Sequence, residues 1–183
     1  AVAGNNDWAG SPTLAGAFAQ VGAFPYGNNA SKDAGVFQPN LPTGNYTLQV
    51  TDPSGGTGMV IAELYDATPA LTFAPSSPRL INVSVLKNVP AGDILTAGFV
   101  IGGTSQAKLK VLIRAAGPSL GVAPFNILGA MADPKLALYD NSTSTRINEN
   151  NDWGGTSELT QAFTAVGAFQ FASLSTSDSA LLV

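Results

Sequence analysis

Oxygen-bearing side chains crowd one stretch of this chain, where Asp140 is followed by Asn148, Glu149, Asn150, Asn151 and Asp152. A calcium ion gathers about six to eight oxygen ligands, and Asp140, Asn150 and Asp152 are the residues that could hold one. The spacing matches no EF-hand loop. Asn and Asp also bond their own backbone in turns, and that plainer use weighs more, so Ca2+ is a possible ion and no cofactor is required. Asp93, Asp133 and Asp140 could supply paired carboxylates for glycoside hydrolysis, but they are scattered through loop-like segments. Gly102-Gly103-Thr104 has neither the spacing of a phosphate loop nor a helix after it. With no histidine and no cysteine, a nucleophile and its base cannot be assembled in the usual ways. The chain does not read as an enzyme.

Two further residue classes could recognise sugars. Trp8 and Trp153 could stack on pyranose rings, yet each precedes an apolar-striped segment, and the heavier reading makes them core anchors together with Phe18 and Phe163. Asn29, Asn45, Asn82 and Asn141 each open an Asn-X-Ser/Thr acceptor for a glycan. By alternation Asn45 and Asn82 face outward. Charged residues make up only 11%, against about 25% in ordinary soluble domains, and the balance is 8 basic to 12 acidic. That leaves no basic stripe for nucleic acid or anionic membrane. No apolar run reaches the roughly 18 residues of a spanning helix, so membrane insertion is not expected.

The elements that must position these residues come in duplicate. Asn5-Asn6-Asp7-Trp8 recurs as Asn150-Asn151-Asp152-Trp153, an offset of 145, and Leu14, Ala17, Phe18 and Val21-Gly22-Ala23-Phe24 recur as Leu159, Ala162, Phe163 and Val166-Gly167-Ala168-Phe169. Each motif leads into a short helix: Ser11 caps the first, Pro12 fits its first turn and Gly22 stops it, while Thr156 and Gly167 punctuate the second. Elsewhere the apolar period is two. Tyr46-Leu48-Val50 and Val60-Ala62-Leu64 flank a glycine-rich turn as a hairpin, Ile81-Val83-Val85 alternates, and 94–101 is nearly all apolar. Leu109, Val111 and Ile113 oppose Lys108, Lys110 and Arg114, which puts the three cations on the outer side, and 136–139 closes the series. The expected fold is all-β, an antiparallel β-sandwich or jelly roll with one short helix after each Asn-Asn-Asp-Trp. Its expected divisions are an N-terminal β half-domain over 1–66, a proline-rich linker over 67–78 and a C-terminal sandwich over 79–183.

Arg79-Leu80-Ile81-Asn82-Val83, Ala97-Gly98-Phe99-Val100-Ile101-Gly102-Gly103, Val111-Leu112-Ile113-Arg114-Ala115-Ala116-Gly117-Pro118, Leu136-Ala137-Leu138-Tyr139-Asp140 and Gly44-Asn45-Tyr46-Thr47-Leu48-Gln49-Val50 appear in this chain. That order resembles tandem β-sandwich repeats in very large secreted or surface proteins of environmental bacteria. The resemblance implies an extracellular or cell-surface location. The second copy reads as unfinished at Leu181-Leu182-Val183, so a neighbouring molecule is expected to complete it, with Val36 and Phe37 on the matching face. The expected role is a filament subunit polymerising head to tail with itself through strand complementation, with glycans as possible partners. A carbohydrate-binding or adhesive module of a longer array is the alternative.

Overall fold

The computed structural model describes residues 2–74, 76–102 and 108–183. Pro75 of the proline-rich stretch and Gly103-Thr104 of the glycine motif lie outside them. The chain divides into two units, 1–85 and 86–183. The boundary differs from the linker expected over 67–78, which lies within the first unit. There the Gln20 amide donates to the Ala67 carbonyl (2.7 Å) and Asp66 pairs with Arg79 (2.7 Å).

The first unit is organised by one helix, α1 (Pro12–Val21). The Ser11 hydroxyl accepts from Leu14 N–H, Pro12 occupies the first turn, where a missing donor costs nothing, and Gly22 closes the helix at φ +72. Leu14 and Trp8 are its buried apolar residues.

The second unit carries β1 (Leu112–Ala115), β2 (Leu136–Asp140), β3 (Thr145–Asn150), α2 (Ser157–Ala165) and β4 (Ser179–Leu182). β1 pairs antiparallel with β4, Ile113 opposite Leu181, and mutual backbone bonds between Val111 and Val183 extend the ladder. β2 and β3 form a hairpin running from Leu136 opposite Asn150 to Asp140 opposite Thr145, with a bulge at Leu138/Tyr139. Thr156 caps α2 by accepting from Leu159 N–H, and Glu158 in the first turn suits the positive end of the helix. Trp153, Leu159, Phe163, Phe171 and Ala180 form the core, with Leu112, Ala116 and Leu182 packed against it.

This is not the all-β sandwich expected from the sequence. The described residues hold two two-stranded sheets and two helices. The hairpin expected from 45–51 and 59–65 has no ladder, and neither 81–85 nor 94–101 joins a sheet. Period-two alternation prepares one face of a segment for burial, but a ladder also needs an edge to pair with. These segments carry no regular structure and are open to solvent: Leu48 is 63% exposed, Val60 69%, Ile81 86% and Val100 95%. Two separately compact units, each half the mass of this chain, would together expose about 9,900 Å². The surface is 14037 Å².

Candidate assembly interface

The second copy of the repeat shows what the motif does when its surroundings are complete. Asn150 stands at its hub: the side-chain amide donates to Asp152 O (2.8 Å), and Oδ1 accepts from Ala180 N–H (2.9 Å). Trp153 N–H reaches Asp178 O (2.9 Å), so the tryptophan, α2 and β4 are tied into one piece. Phe163 stacks near Trp153, and Phe171 meets both edge-on at 5.1–5.4 Å. Onto this piece docks the segment 111–120. Its Arg114 guanidinium sits 4.2–4.3 Å from the ring centres of Phe163, Phe169 and Phe171. Such close stacking of a desolvated cation on several rings is stabilising. Arg114 Nε and Nη2 are buried without hydrogen-bond partners, so the rings and the nearby Asp178 carboxylate are what compensate the charge. Burial pushes the Arg114 pKa down to about 10, opposed by Asp178, and the group remains charged at neutral pH. Asp178 is fully buried and accepts from Gly117 N–H (2.8 Å), Ser119 N–H (3.2 Å) and the Ser119 hydroxyl. Gly117 must be glycine, because a Cβ there would lie 2.2 Å from Met131 O.

The first copy repeats the backbone and asparagine tethers, while its indole N–H bonds the Asn28 carbonyl where that of Trp153 bonds the Thr176 hydroxyl. Asn5 donates to Asp7 O (3.1 Å) and accepts from Gly35 N–H (3.2 Å), and Trp8 N–H reaches Asp33 O (2.9 Å). Tyr26 replaces Phe171 and meets Trp8 at 5.5 Å and Phe18 at 5.0 Å, both edge-on. Phe24 replaces Phe169 and lies 6.3 Å from Tyr26. Here the likeness stops. Among the described residues no strand pairs with 34–37, the repeat of β4. Val36 is 52% exposed where its counterpart Leu181 is 7%, and Asp33 receives only the neighbouring Ser31 side chain and the Lys32–Asp7 pair lies outside it. Among the described residues no Lys or Arg stands over Phe18, Phe24 or Tyr26.

The residues singled out in the sequence are placed as follows. Trp8, Trp153 and Phe163 are buried, and Phe18 is half-buried in the first copy. Leu181, Leu182 and Val183 are already engaged with β1 and Val111, so that strand edge is not vacant, whereas Val36 and the half-buried Phe37 are unpaired. Asp140 and Asn150 stand at opposite ends of the β2–β3 hairpin, about 13 Å apart at the usual rise per residue. Asp140 accepts from the Ser142 N–H (2.8 Å) and hydroxyl (2.6 Å), a plain turn. The hydroxyl bond holds its carboxyl below the ordinary range. Asp140, Asn150 and Asp152 therefore do not converge into one calcium ligand set. Asn29, Asn45, Asn82 and Asn141 are all exposed.

Two residues central to the docking escaped the sequence reading. Arg114 was assigned outward with Lys108 and Lys110, yet it points onto the aromatic core. Asp178 was passed over, although it recurs as Asp33 at the repeat offset and that recurrence was a usable signal. Of the oxygen-rich residues, Asn148, Glu149 and Asn150 lie on strand β3 and not in a turn. Comparison with protein-family models, curated proteins and solved structures found no match.

Proposed function

We propose that this chain is a structural subunit of an extracellular bacterial filament, polymerising head to tail with itself through strand complementation. The observation that carries this reading is the set of exposed, apolar segments that form no ladder among the described residues: 45–51, 59–65 and 81–85 in the first unit, 94–101 in the second. Unpaired backbone flanked by exposed Val, Ile and Leu is a template for pairing with another chain. Two such surfaces on different parts of the chain can join one molecule to the next through unlike faces. Because the two joined surfaces differ, the contact is heterologous and propagates as an open polymer. A surface poor in charge, with exposed Asn29, Asn45, Asn82 and Asn141, suits a sugar-coated or matrix-embedded fibre. Among the described residues no helix is long and apolar enough to cross a membrane.

Negative-stain microscopy and light scattering of the full chain test the reading. Filaments are expected, and placing lysine on two ladder-ready segments (Leu48→Lys with Val83→Lys) is expected to leave monomers. A wild-type chain that stays monomeric at high concentration, or a doubly substituted chain that still forms filaments, overturns it.

A further inference from the structure

Four Asn-X-Ser/Thr acceptors lie on this chain, and the structure treats them differently. An asparagine at a turn ordinarily bonds backbone two residues on, and Asn5, Asn28 and Asn150 each do so. At the tip of the β2–β3 hairpin that task falls to Asp140, which accepts from the Ser142 N–H (2.8 Å), the Ser142 hydroxyl (2.6 Å) and the Thr143 N–H. The turn is fixed without Asn141. Among the described residues the Asn141 amide has no hydrogen-bond partner, and neither has the Thr143 hydroxyl two residues on. All of 141–145, Asn-Ser-Thr-Ser-Thr, is exposed. The other three acceptors are committed elsewhere. Asn29 packs against Gly10, its Cβ and Cγ 2.7 Å from where a Gly10 Cβ would stand, and the Ser31 hydroxyl of that acceptor donates to the Asp33 carboxylate and accepts from its N–H (3.3 Å). Asn45 and Asn82 belong to 45–51 and 81–85, which the filament reading places in ladders between molecules, where a bulky, hydrated sugar does not fit.

We propose that Asn141 carries an N-linked glycan and that Asn29, Asn45 and Asn82 are bare. The donor is an activated sugar on a pyrophosphate carrier, presented by a transferase that reads the Asn side chain together with the Thr hydroxyl. A bond forms between Asn141 Nδ2 and C1 of the sugar as the bond from C1 to the carrier oxygen breaks. The pyrophosphate carrier leaves with that electron pair, and one Nδ2 proton passes to a base of the transferase. The chain's own contribution is a preformed turn that presents an uncommitted amide and an uncommitted hydroxyl together. A sugar there stands on a hairpin tip, outside every ladder, and adds hydration to a surface poor in charge. The assignment rests on the filament reading only for Asn45 and Asn82; for Asn141 and Asn29 it rests on the hydrogen bonds and packing of the turns themselves.

The test is intact mass and glycopeptide mapping of the full chain purified from the cells that make it, with variants expressed in the same cells. A glycan is expected on the peptide containing Asn141 and on no other acceptor. It should be lost completely in Asn141→Gln and in Thr143→Ala, and kept in Ser142→Ala, whose hydroxyl serves the turn. All three positions are exposed, so folding is not at stake. A bare Asn141 peptide overturns the proposal, as does sugar on Asn29 in its place. Sugar on 141–145 that survives Asn141→Gln also overturns it, because the attachment would then be to the hydroxyls. The filament reading fails separately: a chain glycosylated at Asn141 that never polymerises loses that reading alone, and filaments built from chains bare at Asn141 lose this proposal alone.

Discussion

The two copies of the Asn-Asn-Asp-Trp module share their caps, their tryptophan tether and their aromatic triad, but one is buried under a docked strand and the other is bare. In the second, Phe163 is completely buried and Val36's counterpart Leu181 nearly so; in the first, Phe18 is half-buried and Val36 half-exposed. The contrast separates what the module forms alone from what it acquires by docking. Alone it makes a capped helix, a positioned tryptophan and a segment at 34–37 held through the Gly35 N–H by the Asn5 side chain. Docking adds the buried aspartate network, the caged arginine and most of the apolar burial. Each matched pair of positions therefore reads out the docked strand's contribution.

The largest difference is expected at the aromatic centre. Phe163→Ala empties a fully enclosed site and should destabilise the second unit by about 3–5 kcal/mol. Phe18→Ala removes a half-buried ring and should cost the first unit about half as much or less. Hydrogen exchange resolved over α1 and α2 measures the two separately, and equal losses would mean the first copy is as fully packed as the second. Next in size is the aspartate pair. Asp178→Asn keeps the shape but weakens three bonds to a buried acceptor and leaves Arg114 without its countercharge, a loss of about 2–3 kcal/mol. Asp33→Asn should stay within about 0.5 kcal/mol, as at ordinary surface positions. Urea unfolding of each variant tests the ratio, and a comparable loss at Asp33 would show that its site is already occupied in the free chain.

The sequence revealed the module and hid its docking, for physical reasons that individual residues illustrate. Helix ends depend on neighbours in sequence: Ser11, Pro12 and Gly22 act on the turn they adjoin, so α1 was legible to the residue. Trp8 and Trp153 were legible as anchors because they recur in step with the helical stripe. Sheet pairing joins residues far apart, and Leu112 meeting Leu182 is written in neither local pattern. Alternation also misplaced Arg114, since it ranks cations as outward and cannot know that three phenylalanines some 50 residues further on wait for one. The same limit produced the sandwich expectation: 45–51 and 94–101 have the pattern of strands, and the pattern does not say whether the partner edge is in the same molecule.

A smaller effect distinguishes the turns that precede the helices. Gly10 and Gly155 occupy the left-handed region at φ +66 and +61, so alanine at either costs about 1 kcal/mol in backbone strain. A Cβ at Gly155 would also lie 2.7 Å from the Leu174 carbonyl oxygen, which is backbone and cannot step aside. At Gly10 the obstruction is the exposed Asn29, whose Cβ and Cγ both lie 2.7 Å away; Cγ can rotate into solvent, and Cβ moves only with its own exposed loop. Gly155→Ala should therefore lower the melting temperature more than Gly10→Ala, and the double variant Gly10→Ala with Asn29→Gly, which removes the Asn29 Cβ as well, should recover part of the first unit's loss. Equal melting temperatures for the two single variants would show that the Leu174 loop yields as readily as a side chain.

The smallest contrast lies just ahead of each motif, where the second copy has Glu149 on strand β3 and the first has Gly4. The Lys135 ammonium hydrogen-bonds the Glu149 carboxylate, and with the Arg146 charge it holds that carboxyl below its ordinary pKa although desolvation pushes the other way. A depressed folded-state pKa means that the contribution is complete above the unfolded value, near 4.3, and is lost as pH falls through the lower folded one. The β2–β3 hairpin should accordingly loosen in mild acid while the first copy, with glycine at the matching position, shows no counterpart. Carboxyl-detected NMR titration reads this directly: Glu149 should titrate below the ordinary glutamate value, and Lys135→Ala should move it upward with Arg146 retaining part of the shift. A Glu149 titration unchanged by Lys135→Ala would assign the depression to Arg146 alone and detach the hairpin's acid sensitivity from the strand that carries Lys135.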